Sequence, residues 1–180
     1  MKKLLFILVG PIILFGYKNP GLNDSNLSGI NQLAITSGVF YKALTKRDAE
    51  RILGQTVKLT MAKKEKKDDV VKISITYTGL ENEAGSNRQV NLHYSLTKYT
   101  DLGLATKAYA LILKNNMGMP GQTLIKELGD EALYHSDDKN FSLIIVRKNE
   151  NLLLIKINKQ TKKFAKDELL KITEGIVSKI

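Results

Sequence analysis

Three runs of alternating apolar and polar residues constrain this chain more than anything else in it. Val57, Leu59 and Met61 share one side of the first run, and Val71, Ile73, Ile75 and Tyr77 one side of the second. Val90, Leu92, Tyr94 and Leu96 do the same in the third. Successive side chains of a strand point to opposite faces, so each run has one apolar face and one of Lys, Ser, Thr or Asn. That pattern predicts antiparallel strands with one covered face. Two further runs, Phe141 to Arg147 and Leu152 to Asn158, are nearly continuously apolar in the middle, as buried central strands are. Lys148-Asn149-Glu150-Asn151 joins them as a hairpin.

The cover is supplied by helical periodicity. Thr45 with Asp48 resembles a capping box, Ala49, Ile52 and Leu53 form an apolar stripe, and Gly54 is a natural stop. Thr100-Asp101 opens a second helix carrying Leu102, Ala105, Ala108, Tyr109, Ile112 and Leu113. Met117 to Gly121, with Pro120, ends it and begins an irregular crossing. A last amphipathic helix runs from Asp167 to Ile180. The expectation is an α+β domain: an antiparallel sheet of about five strands with helices packed on it, in the order α-βββ-α-ββ-α.

The N-terminus reads as an address. Lys2 and Lys3 precede an apolar run from Leu4 to Phe15. Its twelve residues would span only about 18 Å as a helix, against roughly 30 Å of bilayer hydrocarbon, and Pro11 interrupts them. A leader is therefore expected over residues 1–16, outside the folded domain. Leu14-Phe15-Gly16 resembles the lipobox of bacterial lipoproteins, but Tyr17 stands where the lipid-accepting Cys would be. Residues 17–38, rich in Asn, Ser and Gly, read as a tether, and 39–180 as a single domain. The Asn-x-Ser sequons at Asn23 and Asn26 matter only in a eukaryotic secretory pathway, against which the lipobox-like end argues.

Composition narrows the chemistry. The 180 residues contain no Cys, which excludes disulfides, thiolate zinc sites and cysteine nucleophiles. The formal net charge is +10, and loss of Lys2 and Lys3 lowers it by two to +8. Such an excess favours acidic partners: an envelope protein, anionic lipid or a polyanionic glycan. Export argues against nucleic acid.

Leu44 to Gly54 resembles the opening helix of many small bacterial lipoproteins of uncharacterised function. Gly129-Asp130-Glu131-Ala132 resembles the turn before their last hairpin. Both are similar to the sandwich superfamily that includes the photosystem II PsbP protein and mycobacterial LpqN-type lipoproteins, over about Leu44 to Ile180. The Pro-Gly that often directly precedes this turn lies further back, at Pro120-Gly121. The resemblance implies an antiparallel sheet packed by helices and a binding or accessory role.

Three sets of residues carry possible chemistry. Asp130, Glu131, His135, Asp137 and Asp138 fall within ten residues and could bind a divalent cation or small ligand, or set an acid beside a base. Alternatively Gly129 takes a left-handed turn, Asp130 caps local amides, and His135 to Asp138 form a solvated loop. Lys63, Lys64, Lys66 and Lys67 could form a basic hairpin tip on an anionic surface, although Glu65, Asp68 and Asp69 offset part of that charge. Tyr77, Tyr94, Tyr99, Tyr109, Tyr134 and Phe141 could line a pocket, but aromatics at these spacings are expected in the core. His93 is out of phase with Leu92 and Tyr94 and is expected at or near the surface. No catalytic constellation and no cofactor motif is present, so the expectation is a non-enzymatic domain of the bacterial envelope, periplasmic or surface-facing and membrane-associated. Its partner would be an envelope protein or an anionic surface; the alternative is a small-ligand or metal-binding module built on Gly129–Asp138. Mass spectrometry of the mature protein is expected to show residues 1–16 removed, and an intact N-terminus would overturn the leader.

Overall fold

A computed structural model describes residues 44–81 and 89–180. The leader (1–16) and tether (17–38) lie outside the described residues. Among the described residues three helices and seven strands follow in the order α-βββ-α-ββββ-α. They are α1 (Lys46–Leu53), β1 (Val57–Lys67), β2 (Val70–Gly79), β3 (Asn91–Lys98), α2 (Leu102–Asn116), β4 (Gln122–Leu124), β5 (Glu131–Ser136), β6 (Ser142–Lys148), β7 (Asn151–Ile157) and α3 (Lys166–Val177). The strands form one antiparallel sheet in the order β1-β2-β3-β7-β6-β5-β4.

The locally coded elements form as expected. Thr45 accepts from the Asp48 amide while Asp48 accepts from the Thr45 amide, completing the capping box of α1. Gly54 ends that helix in the left-handed region at φ 65°. Asp101 caps α2 by accepting from the Leu104 amide at 2.9 Å. α3 starts beside α1, with the Ala165 amide donating to the Ile52 carbonyl at 3.0 Å.

α1 and α3 lie over one face. Ala49, Ile52 and Leu53 with Leu169, Ile172, Ile176 and Val177 meet Ile73, Ile75, Leu92, Tyr94, Ile144, Val146, Leu153 and Ile155 in the main core. α2 covers the opposite face over β5, β6 and β7, where Tyr109 packs with Leu133, Ile145 and Leu152. The result is three layers with an incomplete third. The expected core tyrosines are core: Tyr77, Tyr94 and Tyr134 are buried in the main cluster, Tyr109 is buried in the second, and Tyr99 packs against it.

The strand count needs correcting from five to seven. β5 escapes the periodicity test because both its faces are covered, so its apolar residues do not alternate with polar ones. β4 is three residues long, too short to show a period. The supposed crossing after α2 is therefore a tight entry into β4. At Gly121, φ is 83°, and a Cβ would fall 1.8 Å from the Ser136 carbonyl oxygen, so only glycine fits.

A second correction concerns β1. The register shifts between Leu59 and Met61, and beyond that bulge the strand's faces exchange. Met61 sits opposite Thr76 on the outer face and is 42% exposed, rather than continuing the Val57–Leu59 side. Ile155 is fully buried on a central strand. Its truncation to Ala is expected to cost about 2–5 kcal/mol in urea unfolding, whereas Lys64→Ser on the exposed edge stays within about 0.5 kcal/mol.

Candidate functional site

The Gly129–Asp138 segment is mostly strand rather than loop, and its acidic residues are already engaged. Gly129 does take the expected left-handed turn, at φ 67°, where a Cβ would lie 2.6 Å from the Arg147 carbonyl oxygen. That turn brings the segment alongside β6, with Glu131 directly opposite Arg147. Arg147 Nε donates to Glu131 Oε2 and Nη1 to Asp130 Oδ2, each at 2.6 Å. Asp130 Oδ2 also accepts from the Asn149 amide at 2.7 Å. Asp130 thus caps the β6–β7 turn rather than amides of its own segment. The Asn149 amide holds its carboxyl below the usual range; burial works against this, and the Arg147 charge adds to it. Only 10% of the Arg147 side chain is exposed, so the carboxylates neutralise a cation that is largely out of water.

His135 stands apart from this cluster. It follows Glu131 by four residues on the same strand, about 13 Å along it. The side chain is buried, makes an edge contact with Phe141 at 4.8 Å between centroids, and places Nε2 3.2 Å from the Pro120 carbonyl oxygen. His135 and Ser136 therefore belong to the interior, not to a solvated loop. Asp137 organises the turn that follows, accepting from the amides of Lys139, Asn140 and Phe141 and from the Asn140 side chain. Burial opposes its ionisation, but the Asn140 side chain and these amides hold its carboxyl at about 2. Among the described residues no group of three His, Asp or Glu side chains could hold a metal ion.

The lysine cluster is also rearranged. The turn is Asp68-Asp69, both left-handed at φ 48° and 61°, and Lys63 to Lys67 belong to edge strand β1 rather than to a hairpin tip. Because of the bulge, Lys64 and Lys66 pair with Ile73 and Val71 on the side of α1 and α3. Lys63 and Lys67 go to the opposite face. The four lysines do not form one patch.

That opposite face holds what the sequence did not reveal. Beside the region covered by α2, strands β1, β2, β3 and β7 present Lys63, Lys67, Lys72 and Lys156 among Ser74, Ser95, Thr76, Thr97 and His93. Lys63 pairs with Glu65 at 2.8 Å, while Lys67, Lys72 and Lys156 make no ion pair with a described carboxylate. Glu65 is held below its ordinary pKa, first by its hydrogen bond with Lys63. The hydroxyls are tied sideways: Thr60 and Thr78 hydroxyls lie 3.0 Å apart, Thr78 donates to Asn91 Oδ1 at 2.7 Å, and the Thr76 hydroxyl is 3.0 Å from His93 Nδ1. His93 is half-buried, as its phase predicted; burial, then the Lys156 charge directly opposite, lowers its pKa and keeps it neutral near pH 7. At one end of this shelf a cleft of about 510 Å³ is lined by Glu65, Lys67, Asp68, Val70, Lys72, Thr97 and Tyr99. Each of Lys72, His93 and Lys156 was visible singly as the polar member of an alternating strand. That His93 and Lys156 stand opposite each other, with Lys72 on the same face four residues further along, depends on strand order, which no local pattern encodes.

A smaller, more enclosed groove of about 390 Å³ runs between α2 and the β4–β5 connection, with Tyr109, Leu113, Leu124, Gly129, Asp130 and Glu131 among its walls. No family, no curated protein and no solved structure matches the chain.

Arg147→Met leaves two carboxylates without their cation. The variant is expected to lose about 2 kcal/mol at pH 7, a value scaled down because both carboxylates are partly solvated. Asp130 has a depressed folded pKa, so its contribution is present above the unfolded value near 4 and is lost as pH falls through the folded one. The gap between wild type and variant in urea midpoint should therefore narrow as the pH is lowered from 5 towards 2. A gap constant across that range would refute the pairing.

Proposed function

We propose that this chain is a non-enzymatic binding domain of the bacterial envelope, exported by its leader, and that the lysine-bearing shelf of β1, β2, β3 and β7 holds an anionic partner. The observation that carries the proposal is the division of one sheet face into an apolar half under α2 and a polar, basic half. Cations at Lys63, Lys67, Lys72 and Lys156 on rigid strands favour an extended polyanion, an envelope glycan or an acidic protein segment. Serine and threonine hydroxyls between them supply hydrogen bonds. The commitment of Asp130 and Glu131 to Arg147, and of His135 to the interior, supports a binding role over catalysis. The binding or accessory role implied by the resemblance of Leu44–Gly54 and Gly129–Ala132 to small lipoproteins agrees with this reading. Lipidation is not part of the proposal, because Tyr17 has no thiol to carry a thioether.

A second reading places a small apolar ligand in the groove beside α2, where Leu113 and Leu124 face Gly129 to Glu131. Leu124→Arg, at an exposed edge position, would disturb that groove and leave the shelf intact.

Dextran sulfate provides the test, with uncharged dextran as control. The triple variant Lys63→Ser/Lys72→Ser/Lys156→Ser is expected to bind about tenfold more weakly and to lose most of its salt dependence. Lys171→Ser/Lys179→Ser, on and just after α3, should change binding less than about twofold. Equal losses from both variants would reduce the shelf to general basicity and end the proposal.

A further inference from the structure

Seven large apolar side chains are exposed among the described residues, and four of them fall between Leu102 and Met117. Leu102, Leu104 and Leu111 lie on α2, Met117 directly after it, and Leu124 on β4, which lines the same groove as α2. Leu111 is 59% exposed, Met117 73% and Leu124 66%. Leu104 and Leu111, seven residues apart, share one side of the helix and form an exposed apolar stripe rather than singly scattered residues.

The helix itself has apolar residues on two sides. Ala105 and Tyr109 are buried against the sheet, while Leu104 and Leu111 point away from it. Lys107 and Lys114 lie on the outward stripe between and beyond the leucines, at steps of three and four residues that place all four on one line. The helix contains no Asp or Glu. Leucines that sit in acyl chains, with lysines whose stems lie along them and whose ammonium groups reach upward, form the pattern of a helix lying in a lipid interface.

We propose that the outward stripe of α2 seats in the interface of an anionic bilayer, with Leu104, Leu111 and Met117 among the acyl chains and Lys107 and Lys114 on the phosphates. Charge selects this occupant. A second copy of the chain would set Lys107 and Lys114 of each stripe against those of the other, a repulsive arrangement. Anionic headgroups complement the same lysines, and the bilayer accepts the leucines. The inference goes beyond the shelf and does not depend on it, since α2 covers the other half of that face.

The chain contains no Trp, so a single introduced one reports its own surroundings in the full-length protein. Leu111→Trp is mixed with phosphatidylcholine vesicles containing one-quarter phosphatidylglycerol and a lipid brominated on the upper acyl chain. At least twofold quenching with a blue-shifted emission is expected, and the same for Leu104→Trp. Lys171→Trp, on the exposed side of α3 across the sheet, should show neither. Because the readout is local, attachment through residues 1–16 alone leaves all three reporters alike, and that result overturns the proposal. Adding Lys107→Gln/Lys114→Gln to the Leu111→Trp protein should at least halve the quenching. Equal quenching in pure phosphatidylcholine would overturn the anionic selection. Thermal melts matching the parent establish that each reporter is folded, and dextran sulfate binding, which reads the shelf, should be unchanged in all of them.

Discussion

The pairing of β3 with β7 holds the molecule together. On one side of that seam lies the β1-β2-β3 meander, and on the other the four-stranded unit β7-β6-β5-β4. Leu92 faces Ile157, Tyr94 faces Ile155, and Leu96 faces Leu153, so the seam is apolar on the side that α1 and α3 cover. Its open end is tied by polar groups: Asn91 donates from its amide to Asn158 Oδ1 at 2.7 Å, and Asn158 Nδ2 donates to the Gln89 carbonyl at 3.3 Å. More than fifty residues separate these strands in the chain. Closing such a loop costs entropy before any contact compensates it, so the main core can assemble only after both halves exist. The helices consolidate this seam, and the Ala165 to Ile52 hydrogen bond joins the two ends of the domain above it.

The sheet is wider than its outer helix layer, and that mismatch generates the surface. A seven-stranded sheet is about 29 Å across at 4.8 Å per strand spacing, whereas one helix with its side chains covers about 10–12 Å. α2 packs where Leu133, Ile145 and Leu152 leave an apolar floor, and the remaining strands turn hydroxyls, His93 and lysines outward instead. Alternation along β1 divides the lysines between the two faces, and the bulge decides which pair goes to which. The same lysines line an edge strand, where charge discourages pairing with another chain. Stability, solubility and binding thus place compatible demands on these positions, which is why the lysine run alone says little about its role.

Much of the fold was legible because it is written locally. The Thr45–Asp48 box, the Asp101 cap and the alternating strands each need only a few neighbouring residues to be recognised. β5 was not legible, because a strand buried on both faces and bracketed by Gly129-Asp130 and Asp137-Asp138 looks like a polar loop with an apolar centre. The candidate site failed for the same reason. Asp130, Glu131 and His135 are close in sequence, but a strand spreads them out. The partner that explains two of them, Arg147, is sixteen residues beyond Glu131 and meets it only through register. Conversely, His93 and Lys156 are far apart in sequence and directly opposite each other in the sheet. Charge proximity along a chain is informative in loops and misleading in strands.

The two proposed surfaces share a face but not a level. α2 stands above the sheet by about one helix diameter, roughly 10 Å, so a flat bilayer touching Leu104 and Leu111 stays clear of Lys72 and Lys156. An extended lysine side chain reaches only about 6 Å, which leaves a slot between strand lysines and headgroups rather than a contact. The slot is open at the β1 edge and closed by α2 on the other side. The anionic lipid on one side and the lysines on the other also make the slot unsymmetrical, so a polyanion is drawn to the sheet and repelled by the membrane. Taken together, the two proposals make basic charge on the strands and apolar surface on the helix act in sequence: the helix would set the distance from the bilayer, and that distance would limit what the shelf can admit.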